Sequence, residues 1–307
     1  MITTPVNFPS FAKINWVLRI LGKRPDGYHE VVTVLQTISL RDELTIQLSE
    51  QGPIKLTCDD STIPTGRDNL VVKAVEFLMD GFQDDFGVEI ALKKRIPAMG
   101  GLGGASSNAA VTLKAITTLW KGAYIDIEEF GTGALGADVP FFLMGGRCAA
   151  IGIGDVLKPL DDGPKQYLII VTPNAKVSTA HAYASLNAAT LTTSNSASIL
   201  SSSLADLNSA DSRQWPLCND FERVIFEIEP EIKRARNALV DAGAWSALLA
   251  GSGSSVFGVF DSEASRDRGL ENLRCEAGWR VFACETISRN EYVRAMNSSG
   301  IPLFTLS

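Results

Sequence analysis

The chain has 307 residues, 45% of them apolar and 21% charged, and a formal net charge of −7. That length allows two domains or one large one around a substantial core, and the acidic balance excludes broad attraction to nucleic acid or anionic membrane, so any anionic ligand must be met by local donors. Cys58, Cys148, Cys218, Cys275 and Cys284 are odd in number, scattered and without a C-x-x-C pair, which argues for reduced thiols, and with only His29 and His181 a histidine-rich zinc site is excluded.

The N-terminus shows no basic region followed by an apolar run, and no stretch of about 20 apolar residues occurs, so the expectation is a cytoplasmic protein without a membrane partner. Ala12, Ile14, Trp16, Leu18 and Ile20 alternate with Lys13, Asn15, Val17 and Arg19. As a strand, this places Lys13 and Asn15 on one face, opposite the apolar set. A lysine there is either a solvated edge charge or a functional group. Gly22 to Gly27 reads as a turn, followed by Tyr28-His29-Glu30 and a strand from Val31 to Ile38. A Tyr-His pair beside a glycine turn can stack on and hydrogen-bond a flat ring, or simply pack at an interface. Leu44, Ile46 and Leu48, the turn Gln51-Gly52-Pro53, and Ile54, Leu56 and Cys58 predict a hairpin.

Asp68 or Asn69 caps an amphipathic helix that begins at Leu70. Val88, Ile90 and Leu92 alternate as a strand, four glycines crowd into Gly100 to Gly104, and Ala109, Leu113, Ile116 and Trp120 form a helical stripe. The unit is strand, glycine loop, helix, with Ser106 or Ser107 as the expected N-cap. Backbone N–H groups at such a helix start suit a phosphate, although a glycine-rich turn can also just let a helix pack closely on a sheet. Asp126 to Glu129 resembles the cap of a short helix that runs out at Gly136. Asp138 follows, before an apolar run, either as a cap or as a carboxylate held in a cleft.

Gly145-Gly146 and Gly152-x-Gly154 mark turns, and the composition becomes linker-like between Pro159 and Pro164. The domain boundary is expected there, giving domains 1–158 and 159–307. Tyr167 to Val171 reads as a strand. Residues 184–212, dominated by Ser, Thr, Asn and Ala, read as a mobile, poorly packed insertion. A helix runs from Pro230 to Gly243, Pro near its start and Gly past its end. A strand at Leu248-Leu249, a second glycine loop at Ala250 to Ser255, a strand at Val256 to Phe260, a helix from Ser262 to Ala277 and a strand from Trp279 to Cys284 follow. The order β, α, β, β, α, β is that of a ferredoxin-like unit.

Three nucleotide-binding patterns fail on the first glycine loop. No lysine follows the glycines, as a P-loop requires; Ser106 stands where the last glycine of the dinucleotide pattern should be; and the loop opens a helix instead of joining two strands, as a protein-kinase glycine loop does. A fourth fits. Pro97-Ala98-Met99-Gly100-Gly101-Leu102-Gly103-Gly104-Ala105-Ser106-Ser107 resembles the phosphate loop of the GHMP small-molecule kinase superfamily. The likeness continues through Ala12-Lys13-Ile14-Asn15, Asp26 to Glu30, Asp68-Asn69-Leu70, Lys94 to Pro97, Leu135 to Pro140 and Gly251-Ser252-Gly253, in the family's order across nearly the whole chain. It narrows to the branch acting on a cytidine diphosphate derivative of methylerythritol. Residues 184–215 match nothing in that pattern.

The resemblance implies an α+β, two-domain fold: an N-terminal domain like domain 2 of ribosomal protein S5, a C-terminal ferredoxin-like domain, and an active site in the cleft between them. It implies transfer of the γ-phosphate of ATP to a tertiary hydroxyl of the methylerythritol moiety, within non-mevalonate isoprenoid synthesis, with Mg²⁺ inferred from the reaction. On that likeness Asp138 is the general base and Lys13 the cation beside it, an arrangement that favours a charged carboxylate. Residues 97–107 hold the phosphates, Asn69 and Lys94 line the adenine pocket, and Asn15, Tyr28 and His29, with Tyr183 as a further stacking candidate, hold the cytidine end. Two rivals stand beside this reading: another GHMP kinase, acting on homoserine, mevalonate or a sugar, and a nucleotide-binding module without catalysis, against which Lys13 and Asp138 argue.

Overall fold

A computed structural model describes residues 4–82, 86–121, 131–186, 191 and 212–304. Its first sheet is built on two long antiparallel strands, β1 (Val6–Lys23) and β2 (His29–Ser49). β3 (Ile54–Cys58) and β4 (Gly87–Lys93) extend it in the order β3-β4-β2-β1. β4 pairs antiparallel with β2 and parallel with β3. The hairpin expected between residues 44 and 58 is therefore corrected, because β4 inserts between its two arms. β5 (Arg147–Ile151) pairs with the first half of β2, β6 (Val156–Pro159) pairs with β5, and the two-residue β8 (Cys218–Asn219) lies parallel to β1.

Helices α1 (Leu70–Phe82) and α2 (Gly104–Lys121) cover one face of this sheet. Val71, Val75 and Leu78 of α1, and Leu113 and Ile116 of α2, meet Leu44, Ile46, Leu48, Val88, Ile90 and Leu92 in one core. Asn69 caps α1, its Oδ1 accepting the Val71 N–H at 2.9 Å. The expected cap of α2 is corrected: the helix already begins at Gly104, and the Ser107 N–H donates to Gly103 O, so both serines lie inside the first turn. Glycines that reach positive φ, Gly101 and Gly103 at +73°, bring the chain into the helix without needing a hydroxyl cap.

The second sheet, β11-β7-β10-β9, comprises β7 (Tyr167–Thr172), β9 (Ser246–Leu249), β10 (Val256–Phe260) and β11 (Arg280–Glu285), all antiparallel neighbours. With α5 (Glu222–Ile228), α6 (Pro230–Asp241) and α7 (Glu263–Asn272) it forms the expected ferredoxin-like unit. The period of two along β7 distributes its side chains. Leu168 and Ile170 meet Ala12, Ile14 and Trp16 between the two sheets, while Ile169 and Val171 meet Ile232, Ala235 and Leu239 of α6. The result is four layers, with the two sheets face to face inside. The chain end returns to the first core, where Tyr292, Val293 and Met296 of α8 (Arg289–Met296) are buried with Leu303 and Phe304.

The simple alternation expected along β1 is also corrected. Register shifts at Phe11/Ala12, Asn15/Val17 and Ile20/Gly22 change the face presented. β1 consequently serves all three cores: Phe8 and Phe11 in one, Ala12 to Val17 in another, Leu18 and Ile20 in the third. The cap expected at 126–129 and most of the Ser/Thr-rich stretch 184–212 lie outside the described residues, while the end of the short helix expected at Gly136 is met by a 3-10 turn, Thr132–Leu135.

Candidate active site

A cleft of about 1020 Å³ runs between the glycine loop, the tip of the β1–β2 hairpin and the segment carrying Tyr183. Its floor is the Pro97–Gly103 loop, held from two sides. The Lys13 N–H of β1 donates to Leu102 O at 3.0 Å, and Ser10 Oγ donates to Ser107 Oγ at 2.8 Å. From the second sheet, the Ser254 and Ser255 N–H groups donate to Met99 O and Gly100 O at 3.1 and 3.2 Å. The two loops touch so closely that a Cβ on Gly101 would lie 1.8 Å from Ala250 O. The first N–H groups of α2 have no intrahelical acceptor and carry the positive end of the helix dipole. Loop and helix start together make a cradle for a phosphate.

Lys13 lies beside this cradle. Its Nζ donates to Asn15 Oδ1 at 3.0 Å and faces Asp138 Oδ2 at 3.5 Å. Asn15 Nδ2 in turn donates to Thr33 Oγ1 at 2.8 Å, and Thr33 Oγ1 donates to Val17 O, so the amide is oriented from below. Asp138 precedes α3 (Val139–Met144), yet its side chain makes no capping bond. The carboxylate is thus committed to the lysine and the cleft. The Lys13 side chain is 6% exposed and that of Asp138 37%, so a buried cation supports a carboxylate that substrate can reach.

At the far end, Tyr28 projects from the hairpin tip, 61% exposed. His29 opens β2 and stacks on Tyr183 of α4 (Thr179–Ala184), ring centroids 4.9 Å apart and planes 20° from parallel. Tyr183 packs edge-on against Phe221. Burial, and after it the Lys23 charge, holds the His29 imidazole below its ordinary range. Burial and the charge of Asp138 push the Tyr183 hydroxyl up to about 12, so both rings are neutral near pH 7. A neutral imidazole beside a tyrosine offers one donor, one acceptor and a flat face, the needs of a pyrimidine reader.

Asn69 and Lys94 also line the cleft. Both side chains already have protein partners. Asn69 Nδ2 donates to Pro64 O, and Lys94 Nζ binds Asp42 Oδ2 at 2.8 Å and Ile96 O. Sequence reading passed over Asp42, which is fully buried and accepts from the Arg95 and Ile96 N–H groups and from Asn108 Nδ2. It locks the segment entering the glycine loop onto β2. The one signal available was an acid within an otherwise strand-like run. Ser252, which lines the cleft from the Gly251-Ser252-Gly253 motif, shares a 3.0 Å hydrogen bond with Thr179 Oγ1. Phe221, which lines the cleft just after β8, and Asn219, which holds Gly251 O behind it, carried no recognisable pattern.

A glycine loop at a helix start, a lysine–aspartate pair beside it and a ferredoxin-like second unit are the features that the likeness to the GHMP small-molecule kinases implied. The GHMP kinases N terminal domain model matches residues 69–146 and the GHMP kinases C terminal model residues 196–278. The 4-diphosphocytidyl-2-C-methyl-D-erythritol kinase of Citrifermentans bemidjiense is 38% identical over 277 residues, 90% of this chain and 97% of that protein. The enzyme of the same name from Gloeobacter violaceus is 36% identical over 286 residues, covering 92% and 94%. A crystal structure of 4-(cytidine 5'-diphospho)-2C-methyl-D-erythritol kinase superposes with a TM-score of 0.76 at 32% identity, over 91% of this chain and 98% of that one. A crystal structure of L. major mevalonate kinase shares the fold, with a TM-score of 0.71 at 16% identity over 92% of this chain and 96% of that one. The chain belongs to the 4-diphosphocytidyl-2-C-methyl-D-erythritol kinase family.

Proposed function

We propose that this chain transfers the γ-phosphoryl group of ATP to the 2-hydroxyl of 4-diphosphocytidyl-2-C-methyl-D-erythritol, releasing ADP and the 2-phosphate, in the non-mevalonate route to isoprenoid precursors. The observation that carries the chemistry is the Lys13–Asp138 pair, 3.5 Å apart beside the glycine cradle. Phosphoryl transfer asks chiefly for positioning and charge neutralisation. In this reading the loop 97–104 and the N–H groups of Ala105 and Ser106 hold the donor phosphates, while Ser107, buried and with its N–H already given to Gly103 O, closes the first helical turn behind them. Asp138 takes the proton of the acceptor hydroxyl, and Lys13 keeps that carboxylate charged and faces the group in transfer. Asn69 and Lys94 form the wall toward adenine. Asn15, Tyr28, His29 and Tyr183 take the cytidine end, which separates this acceptor from homoserine, mevalonate or a sugar.

Mg²⁺ is part of the same proposal. Among the described residues no group of three or more His, Cys, Asp or Glu could hold a metal. That donor set fits an ion carried mainly by the phosphates, with Ser106 as the available oxygen ligand in the cleft lining. Bound there, it would neutralise charge on the transferring phosphates. We further assign residues 1–158 the phosphate loop and base, residues 159–307 the second glycine loop and Tyr183, and the whole chain to the cytoplasm, where five free cysteines stay reduced. The test is ADP release, coupled to a spectrophotometric readout, over a panel of the cytidyl compound, homoserine, mevalonate and a hexose. Turnover confined to the cytidyl compound is expected. Preference for any other acceptor, or none for all four, overturns the assignment.

A further inference from the structure

The segment that follows Trp215 lies where the first sheet meets the second glycine loop. Its two strand residues, Cys218 and Asn219, pair with Val17 and Leu18 of β1, a few residues beyond Lys13. Asn219 is 5% exposed and uses its whole amide. Nδ2 donates to Leu249 O at 2.9 Å and to Gly251 O at 2.7 Å, and Oδ1 accepts the Phe221 N–H at 3.0 Å. The two carbonyls it ties bracket the start of the second glycine loop. Gly251 then sits at φ +53°, where a Cβ would lie 2.8 Å from Gly101 O and 3.3 Å from Lys13 Nζ. Beyond it, the Ser254 and Ser255 N–H groups grip the first loop at Met99 and Gly100. One buried amide thereby sets the distance between the second loop, the phosphate cradle and the lysine.

We infer that Asn219 is a positioning residue for phosphoryl transfer, fixing Gly251 against the phosphate loop and the Lys13 ammonium. It touches no substrate; it acts through the loop. The inference rests on the kinase reading above, so its test includes a measurement independent of the acceptor. Asn219→Ala removes both donors and frees the Leu249 and Gly251 carbonyls. Displacement of the cradle on the scale of 1 Å lowers turnover by about 10²-fold. Affinity for a non-hydrolysable ATP analogue is read by calorimetry, kcat and acceptor KM by ADP release, and folded fraction by thermal melting. We expect Asn219→Ala to weaken analogue binding and lower kcat per folded molecule, each by roughly 10-fold to 100-fold, with acceptor KM within about threefold. Leu239→Val, a core truncation in α6 at a residue that does not line the cleft, should lower the melting temperature and leave kcat and analogue affinity within about twofold. Should Asn219→Ala fail to fold, Asn219→Ser retains one short donor and should show the same split at smaller size. Overturning the inference needs only an Asn219 variant that melts early yet keeps kcat and analogue affinity within about twofold of the parent. A parent chain that binds the analogue but phosphorylates no acceptor would instead refute the kinase reading, with the affinity comparison still deciding the role of Asn219.

Discussion

Replacing Asp138 by Asn removes the charge and the base while keeping the shape, and the structure separates its kinetic effect from its structural one. The ion pair to Lys13 spans 3.5 Å. At an effective dielectric of about 20, that distance corresponds to about 5 kcal/mol before screening. The Asp138 side chain is 37% exposed, however, and pairs open to water contribute about 0–1 kcal/mol net. Lys13 also keeps its 3.0 Å bond to Asn15 Oδ1 in the variant. Melting should therefore shift by no more than about 2–4 °C. Turnover should fall by roughly 10²–10⁴-fold, about 3–5 kcal/mol of transition-state stabilisation, as for loss of a general base. ATP-analogue affinity should stay within about threefold, since the cradle is made of backbone N–H groups between Gly101 and Ser106. Steady-state ADP release, melting and calorimetry on one preparation measure all three. Turnover within about fivefold of the parent would refute the role of Asp138, and so would a kinetic loss that merely tracks lost folded protein.

Three further outcomes follow from the same geometry. His29→Ala should weaken binding of cytidine diphosphate by about 10–100-fold, the loss of one hydrogen bond and one stacked face, with ATP affinity unchanged in calorimetry. Because burial lowers the folded-state affinity of His29 for its proton, the unfolded chain binds more protons just below the ordinary value of about 6.5. His29 should thus subtract stability as pH falls through that window and none above it, a slope that melting of the parent shows and His29→Ala lacks. Gly101→Ala places a Cβ at φ +73° and 1.8 Å from Ala250 O, so it should separate the two glycine loops and cost about 3 kcal/mol or more in denaturant unfolding; Gly243→Ala, at φ +99° with open space around it, should cost only about 1 kcal/mol. Asp42→Ala leaves the Lys94 ammonium and two N–H groups buried without their acceptor and should destabilise by about 3–5 kcal/mol, seen as lost soluble yield or a lowered denaturation midpoint.

What could be read in the sequence, and what could not, divides by the range of the interaction. The Pro97–Ser107 loop, the α6 boundaries at Pro230 and Gly243, and the second loop at Ala250 are local signals: glycines at positive φ, a proline at a helix start, apolar runs of fixed period. Such signals survive without a partner in view. The hairpin expected at 44–58 failed because strand order is set by which edge the incoming β4 finds, and alternation in β2 and β3 fits either neighbour equally. The face of Lys13 was right, yet the alternation used to argue it was interrupted at Trp16 by a bulge that no residue type announced. Family likeness named Lys13 and Asp138 together, although they stand 125 positions apart in sequence, because each sits in its own local pattern. Asp42 and Asn219 sit in none. Their chemistry is only to satisfy backbone groups of distant segments, at Arg95 and Ile96 in one case and Leu249 and Gly251 in the other, and that demand exists only once the layers are stacked. A buried amide or carboxylate with every bond used is therefore invisible to pattern and decisive for geometry, and in this chain one of them holds the segment entering the first glycine loop and the other the start of the second.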